Sequence, residues 1–431
     1  MKNKTRWLVI ALLIFCTGLL AGCSEDNESI VQDSEQEKAE AEVQLSVFGF
    51  KYEALNVKAI EDTLHDYMEE HPEVFISYDG IKGPEYFDVL EKRIASGNGD
   101  DIFMVDHERV LKLSAEGKLA DLSDLSTLGD FSKLAKSQMN ATGTVWYVPT
   151  SISAFGLYCN EDLLKEHGQD IPENLKEFTE VCDYFVSEGI TPIVANNDIS
   201  LKTIAIAKGM LPVYQSDDPA ARIQAMNTGE EDLAETLRPG FELVEKMINR
   251  KWVNAEEALT VEKTKDDLTI FAEGKQPFML TGAWATPRVK ALDPDFSFVV
   301  QPYPILKKNS VLVINVDTRI SINAESPDVE EAKEFLEYLT RKDVIWDFAN
   351  SQSSFSPMKD NRLAEDESIQ AIGPYLNNGY SVLGSDDTLQ YPIWDQTKQC
   401  IQGMLEGDDS DAAVERMRQL ILEWREAEQK E

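Results

Sequence analysis

The sequence predicts an α/β protein of two lobes, each with a mostly parallel sheet flanked by helices. Two observations predict it. About 390 residues follow residue 42, more than one hydrophobic core organises well. The apolar periodicity also alternates along the chain between two and 3.6 residues.

The elements follow in order. From Val43 to Phe50, Val43, Leu45, Val47 and Gly49 alternate with Gln44, Ser46, Phe48 and Phe50, which is a strand pattern. Ile60, Leu64, Tyr67 and Met68 then recur at helical spacing. A strand near Phe75–Tyr78, a helix over Glu85–Ser96 and a strand over Asp101–Val105 complete a β-α-β-α-β succession, which implies parallel pairing. Ligands of such sheets gather beyond the carboxyl ends of the strands, here just after Phe50 and Val105. Residues 144–158 are apolar but interrupted by Pro149, which predicts two strands with a crossover. Asn174 and Glu177 form a capping-box pattern ahead of the stripe Phe178, Val181, Cys182 and Phe185, and Gly189 stops that helix. Strands are expected at 190–195, 278–280, 296–303 and 311–322, with helices dominating 200–275. Ser326-Pro327 opens a helix with Ala332, Phe335, Leu336 and Leu339 on one face, and Val414, Met417, Leu420, Ile421 and Trp424 mark a closing one.

The first residues predict a destination outside the cytoplasm. Lys2, Lys4 and Arg6 precede an apolar run from Trp7 to Leu20, too short for a comfortable membrane span and ending in small residues. Residues 1–22 are therefore expected to be a signal peptide. The stretch 24–42 is acidic and polar, expected to be a flexible tether. Loss of the signal removes three basic residues and takes the formal charge from −37 to −40. A surface this acidic argues against nucleic acid and against docking on anionic lipid. Apart from Cys16 and Cys23, only Cys159, Cys182 and Cys400 remain, none in a C-x-x-C pair, and all three are expected to be small buried hydrophobes. Four histidines at 65, 71, 107 and 167 give no metal spacing, and neither H-E-x-x-H, G-x-S-x-G nor a phosphate-cradling glycine loop occurs. No cofactor, metal or catalytic residue is expected, although abundant carboxylates leave a glycan-active enzyme as the alternative class.

Several stretches resemble a known family. Leu20-Ala21-Gly22-Cys23 resembles the lipobox of bacterial lipoproteins, which implies a diacylglycerol anchor on Cys23. Residues 144–168 with IPENLKEF and Gly189-Ile190-Thr191-Pro192, then Phe271-Ala272-Glu273-Gly274-Lys275 with Met279 and Gly282-Ala283-Trp284, then SPDVEEAKEFLEYLTRKD with Pro357, keep one order and spacing. Together they resemble the extracellular solute-binding proteins of ABC importers, in the maltose and multiple-sugar branch. The resemblance implies a type II periplasmic-binding-protein-like fold with the ligand cleft between the lobes: lobe one over 43–152 and 303–354, lobe two over 153–302 and 355–431. It implies crossings near 150–156, 299–304 and 353–358, a saccharide ligand captured by hinge closure, with a non-sugar solute on the same fold as the alternative, ABC permease subunits as partners and a monomer.

Sugar recognition needs directional polar groups for hydroxyls and flat aromatics for the apolar ring face. Asp106, Glu108 and Arg109 follow a strand end, and the family stretch implies sugar contacts from Glu108 and Arg109. Trp284 matches the family's stacking tryptophan. Trp394 is a second stacking candidate, with Pro392 favouring a loop there. Ser153 matches a polar contact between lobes where the maltose branch carries a carboxylate, which argues against maltose itself. Phe48, Lys51 and Tyr52 are expected to line the opposite wall.

Overall fold

The computed structural model describes residues 41–428 apart from 142 and 360–361. The signal segment, Cys23 and nearly all of the acidic stretch lie outside these residues. Nine strands form one sheet: β1 (Val43–Gly49), β2 (Val74–Gly80), β3 (Ile102–Val105), β4 (Val148–Asn160), β5 (Ile193–Val194), β6 (Phe278–Gly282), β7 (Phe298–Gln301), β8 (Leu312–Ile322) and β9 (Ser381–Leu383). Their order is β2-β1-β3-β8-β4-β6-β5, with β7 added to β4 and β9 to β8.

The opening strands pair in parallel, as their helical connections require. So do β5 with β6 and β9 with β8. The remaining ladders, β3 with β8 and β4 with β8, β6 and β7, are antiparallel. The sheet is therefore mixed rather than mostly parallel. The antiparallel pairs all involve the two long strands, which periodicity cannot orient.

Those two strands carry the chain between halves. β4 is one strand of 13 residues, not two. Pro149 is its second residue, opposite Arg319, close enough to the strand start for the missing N–H to be tolerated. The first part of β4 pairs with β8, and residues 155–160 pair with β6 and β7. β8 pairs with β9 near its start and with β3 at its end. A third strand-like passage lies beside them, where Ile152 and Phe355 exchange backbone hydrogen bonds of 2.7 and 3.0 Å.

Helices cover each half. Ala54–Glu70 and Gly83–Ala95 flank β1–β3, joined by Val329–Leu339 and Lys342–Ser351. In the far half, Phe155, Leu157, Cys159, Phe278 and Leu280 point from the sheet into a core shared with the helices Leu175–Ser187, Ile199–Tyr214, Leu233–Asn249 and Ile393–Glu406. Alternate residues Tyr158, Met279 and Val300 face the opposite side, against Phe271, Phe298 and Ile372. Both faces of this half are thus apolar. Ile199–Tyr214 is buried nearly all round, as a helix without a polar face must be. Asn174 caps its helix by accepting from the Lys176 and Glu177 amides, and Glu177 accepts from the Glu173 amide. Cys159, Cys182 and Cys400 are free and buried. Among the described residues no helix is long and apolar enough to cross a membrane.

Candidate functional site

Adjacent placement of β4 and β8 builds the floor of the site. Ser153 stands opposite Asn315, and its hydroxyl donates to Asp317 Oδ2 at 2.8 Å. The neighbouring strand thus places a carboxylate beside the Ser153 hydroxyl. Two residues further along β4, Phe155 is flanked by both tryptophans. Trp284 meets it edge-on at 4.9 Å and 85°, and Trp394 lies at 5.1 Å and 51°. Both indoles are only partly buried, so part of each remains open to a ligand.

Local sequence explains both positions. A Cβ on Gly282 would lie 2.2–2.4 Å from the six-membered ring of Trp284, so only glycine lets the indole fold back over the end of β6. Pro392 does not keep Trp394 in a loop. It is the N-cap residue of Ile393–Glu406, and Trp394 sits in the first helical turn, where a proline start costs nothing. The Lys202 ammonium lies 4.0 Å from the Trp394 ring centroid and 2.5 Å from Asp198 Oδ1. Its side chain is 1% exposed, and burial lowers its pKa to about 8 against the pull of Asp198.

The chain after β1 approaches from the other half. Burial lowers the Lys51 ammonium pKa; the charges of Asp317 and Glu53 oppose this and Arg288 adds to it. Lys51 of the near half, Asp317 of the floor and Arg288 of the far half therefore share one field. Arg288 and Glu53 approach to 3.8 Å across the two halves, and Arg288 also donates to the Thr264 carbonyl at 3.3 Å. Tyr52 is exposed at the same turn.

Other expected residues fall elsewhere. Phe48 does not line a wall: it is fully buried, against Tyr86 at 4.6 Å and beneath the Arg93 guanidinium. The reason is that a central parallel strand is covered on both faces, so its alternation does not mark one face as open. Asp106 caps the helix His107–Ala115 through the Arg109 amide. Arg109 pairs with Asp106, Glu108 and Glu91 and lies over Phe87. Among the described residues, no hydrogen bond, ion pair or ring contact joins Asp106, Glu108 or Arg109 to the tryptophan pair. Their neighbour His107 instead reaches Asp387 at 3.2 Å.

Asp387 gathers a second polar cluster. It accepts from Arg319 at 2.7 Å and from the Tyr147 hydroxyl at 2.7 Å. Its own amide donates to Gln138 at 2.7 Å, and Gln138 donates to Asp386 at 3.0 Å. Burial pushes the Asp387 carboxyl up, but Arg319, His107 and Tyr147 outweigh it and hold the pKa below the usual value. The loop after β9 is thereby tied to residues of the near half.

The model of the bacterial extracellular solute-binding protein family matches residues 51–345. This chain belongs to that family. It is similar to the multiple sugar-binding protein of Streptococcus mutans, 22% identical over 75% of each chain. Among solved structures it resembles the apo form of RafE from Streptococcus pneumoniae, with a TM-score of 0.70 at 19% identity over 89% of this chain and 98% of that one. It also resembles a sugar transporter from Bacillus licheniformis in complex with stachyose, with a TM-score of 0.66 at 19% identity over 87% and 98%. These likenesses show the two-lobed fold of family 1 solute-binding proteins.

In this solute-binding protein the floor residues Asn315 and Asp317, and Arg319 of the second cluster, were not singled out from the sequence. Their signal was present: Asn315, Asp317 and Arg319 stand at alternate positions of a strand whose first three residues are apolar. Glu53 and Arg288 carried no comparable signal, because they meet each other from distant segments, and neither did the contact of Lys202 with Trp394, 192 residues further on. Among the described residues no group of three or more metal-ligating side chains occurs.

Proposed function

We propose that this solute-binding protein captures a sugar or oligosaccharide outside the membrane by hinge closure and hands it, unchanged, to the membrane subunits of an ABC importer. The observation that carries the reading is the meeting of Trp284 and Trp394 around Phe155, directly above Ser153, Asn315 and Asp317. Flat apolar surface beside carboxylate and amide groups suits the two unlike faces of a sugar ring. The names of similar proteins, which include maltotriose- and lactose-binding proteins, support the same ligand class.

The lobes we propose divide the sheet at its long strands. The second crossing is better placed in β8 than at 299–304, since β7 pairs with the far part of β4 and Tyr303, Ile305 and Val313 pack in the far core. Residues 1–22 serve as the signal, and lipid on Cys23 tethers the protein; two acyl chains are what stable anchoring requires. Replacement of Cys23 by Ala should release the protein into the medium or leave an uncleaved precursor.

The test is titration of the protein with neutral and acidic oligosaccharides, followed by chromatography of the recovered ligand. Binding with intact ligand, weakened at least tenfold in Trp284→Ala, is the expected result. Steady release of shorter sugars would place the protein among enzymes instead, and full affinity in Trp284→Ala would remove the site from this cleft.

A further inference from the structure

Beside Trp394 lies a local excess of positive charge, in a chain with 78 acidic and 41 basic side chains. Three ammonium groups converge on the single carboxylate of Asp198. Lys202 holds Oδ1, while Lys263 and Lys398 both approach Oδ2, the latter at 3.4 Å. Lys202 is buried beneath the indole, whereas Lys263 and Lys398 remain 45% and 34% exposed. One carboxylate balances one of the three charges. Asp395, whose charge also reaches Lys202, is solvent-exposed and therefore well screened.

The turn that presents Lys263 is held in place at a cost. Thr264 has φ 54°, a left-handed conformation that a β-branched residue rarely adopts. Its surroundings fix it there. The fully buried Asp267 accepts from the Lys265 amide at 3.0 Å and from Asn196 at 2.9 Å, and the Thr264 carbonyl accepts from Arg288. The backbone that carries Lys263 is therefore fixed, on the same turn that accepts from Arg288.

Resting on the saccharide reading above, we infer that Lys263 and Lys398, with the charge of buried Lys202 behind them, form a subsite for an anionic group on the sugar, a carboxylate or a sulfate ester, with its ring against Trp394. An ammonium donates charge-assisted hydrogen bonds to such a group, stronger than those offered by a neutral hydroxyl. The strongly negative protein repels an anionic ligand at range, so retention needs cations concentrated at the point of contact. Asp198 serves as the common holder that keeps the lysines together. If the lysines only neutralise Asp198 and prop the indole, their loss affects acidic and neutral sugars alike.

Calorimetric titration of the full chain distinguishes these cases. The probes are trisaccharides of glucuronate, galacturonate and mannuronate, their carboxyl-reduced counterparts, and the 6-sulfated forms of those counterparts. We expect at least one acidic probe to bind tenfold or more tighter than its reduced form. Lys263→Met and Lys398→Met should each erase most of that preference, leave neutral binding within twofold and leave the melting temperature nearly unchanged. Lys58→Met, on an exposed helix face, should change nothing. The uronate and sulfate arms identify which anion is accepted. Equal or tighter binding of neutral probes, unaffected by Lys263→Met and Lys398→Met, overturns this inference and leaves the saccharide reading standing. Failure of every probe to bind overturns this inference, while the broader oligosaccharide titration above decides the saccharide reading separately.

Discussion

Gly282 has no side chain, yet it decides where Trp284 lies. Its backbone, at φ −77° and ψ 144°, is open to any residue, so an effect of Gly282→Ala can come only from the methyl meeting the indole. We expect the displaced ring to cost roughly 1–3 kcal/mol of stacking, that is, about ten- to a hundredfold in affinity, read by titration together with a shift in indole emission. Unchanged emission and affinity would show that the ring does not rest on this glycine. Asp387 makes the second case. Its carboxyl is held below the ordinary pKa in the folded state, so its contribution to stability is present above the unfolded value near 4 and is lost as pH falls through the lower folded value. Wild type should therefore lose stability on acidification below about pH 4, and Asp387→Asn should flatten that part of the curve. At neutral pH the same substitution should cost about 3 kcal/mol in denaturant unfolding, because it strips the charged partner from buried Arg319, whose Nη1 already lacks one.

At the scale of elements, the helices Ile199–Tyr214 and Leu233–Asn249 cross at very close range. A Cβ on Gly240 would lie 2.1 Å from the Ala205 carbonyl oxygen, and one on Gly209 would lie 2.8 Å from the Leu237 Cα. Backbone, unlike a flexible side-chain end, yields only by moving a helix. Gly240→Ala should therefore destabilise by about 1–3 kcal/mol despite the better helix propensity of alanine, measured by chemical denaturation; a stabilised variant would contradict the packing. Elements of this kind explain what the sequence disclosed and what it hid. Amphipathic stripes such as Phe178, Val181, Cys182 and Phe185 are local, so that helix was legible together with its Asn174 cap. The extent of β4 was not, because Pro149 is tolerated only through its position near the strand start. Phe48 was misplaced because alternation loses its meaning on a strand covered from both sides. The closeness of Trp284 to Gly282 follows from their adjacency in one motif, whereas the contacts of Asp317 with Ser153 and of Lys202 with Trp394 join residues far apart in the chain.

At the scale of the molecule, the two halves share one sheet, and the strands that join them are completed late in the chain. β4, at 148–160, finds its partners only at 278–282, 298–301 and 312–322. β3 ends against β8, and the helices Val329–Leu339 and Lys342–Ser351 add to the core of the near half. A chain ending at residue 310 lacks β8 and should show no cooperative thermal unfolding and rapid proteolysis, where the full chain resists; a cooperative melt from that fragment would mean that the halves fold separately. The late completion has a consequence for timing. A chain threaded N-terminus first through a narrow opening arrives with β1, β2 and β3 long before the strand that closes them, and pairing so remote along the chain is slow. For most of its passage such a chain lacks the strand that ties its halves together, and that strand arrives only once about three quarters of the chain has passed.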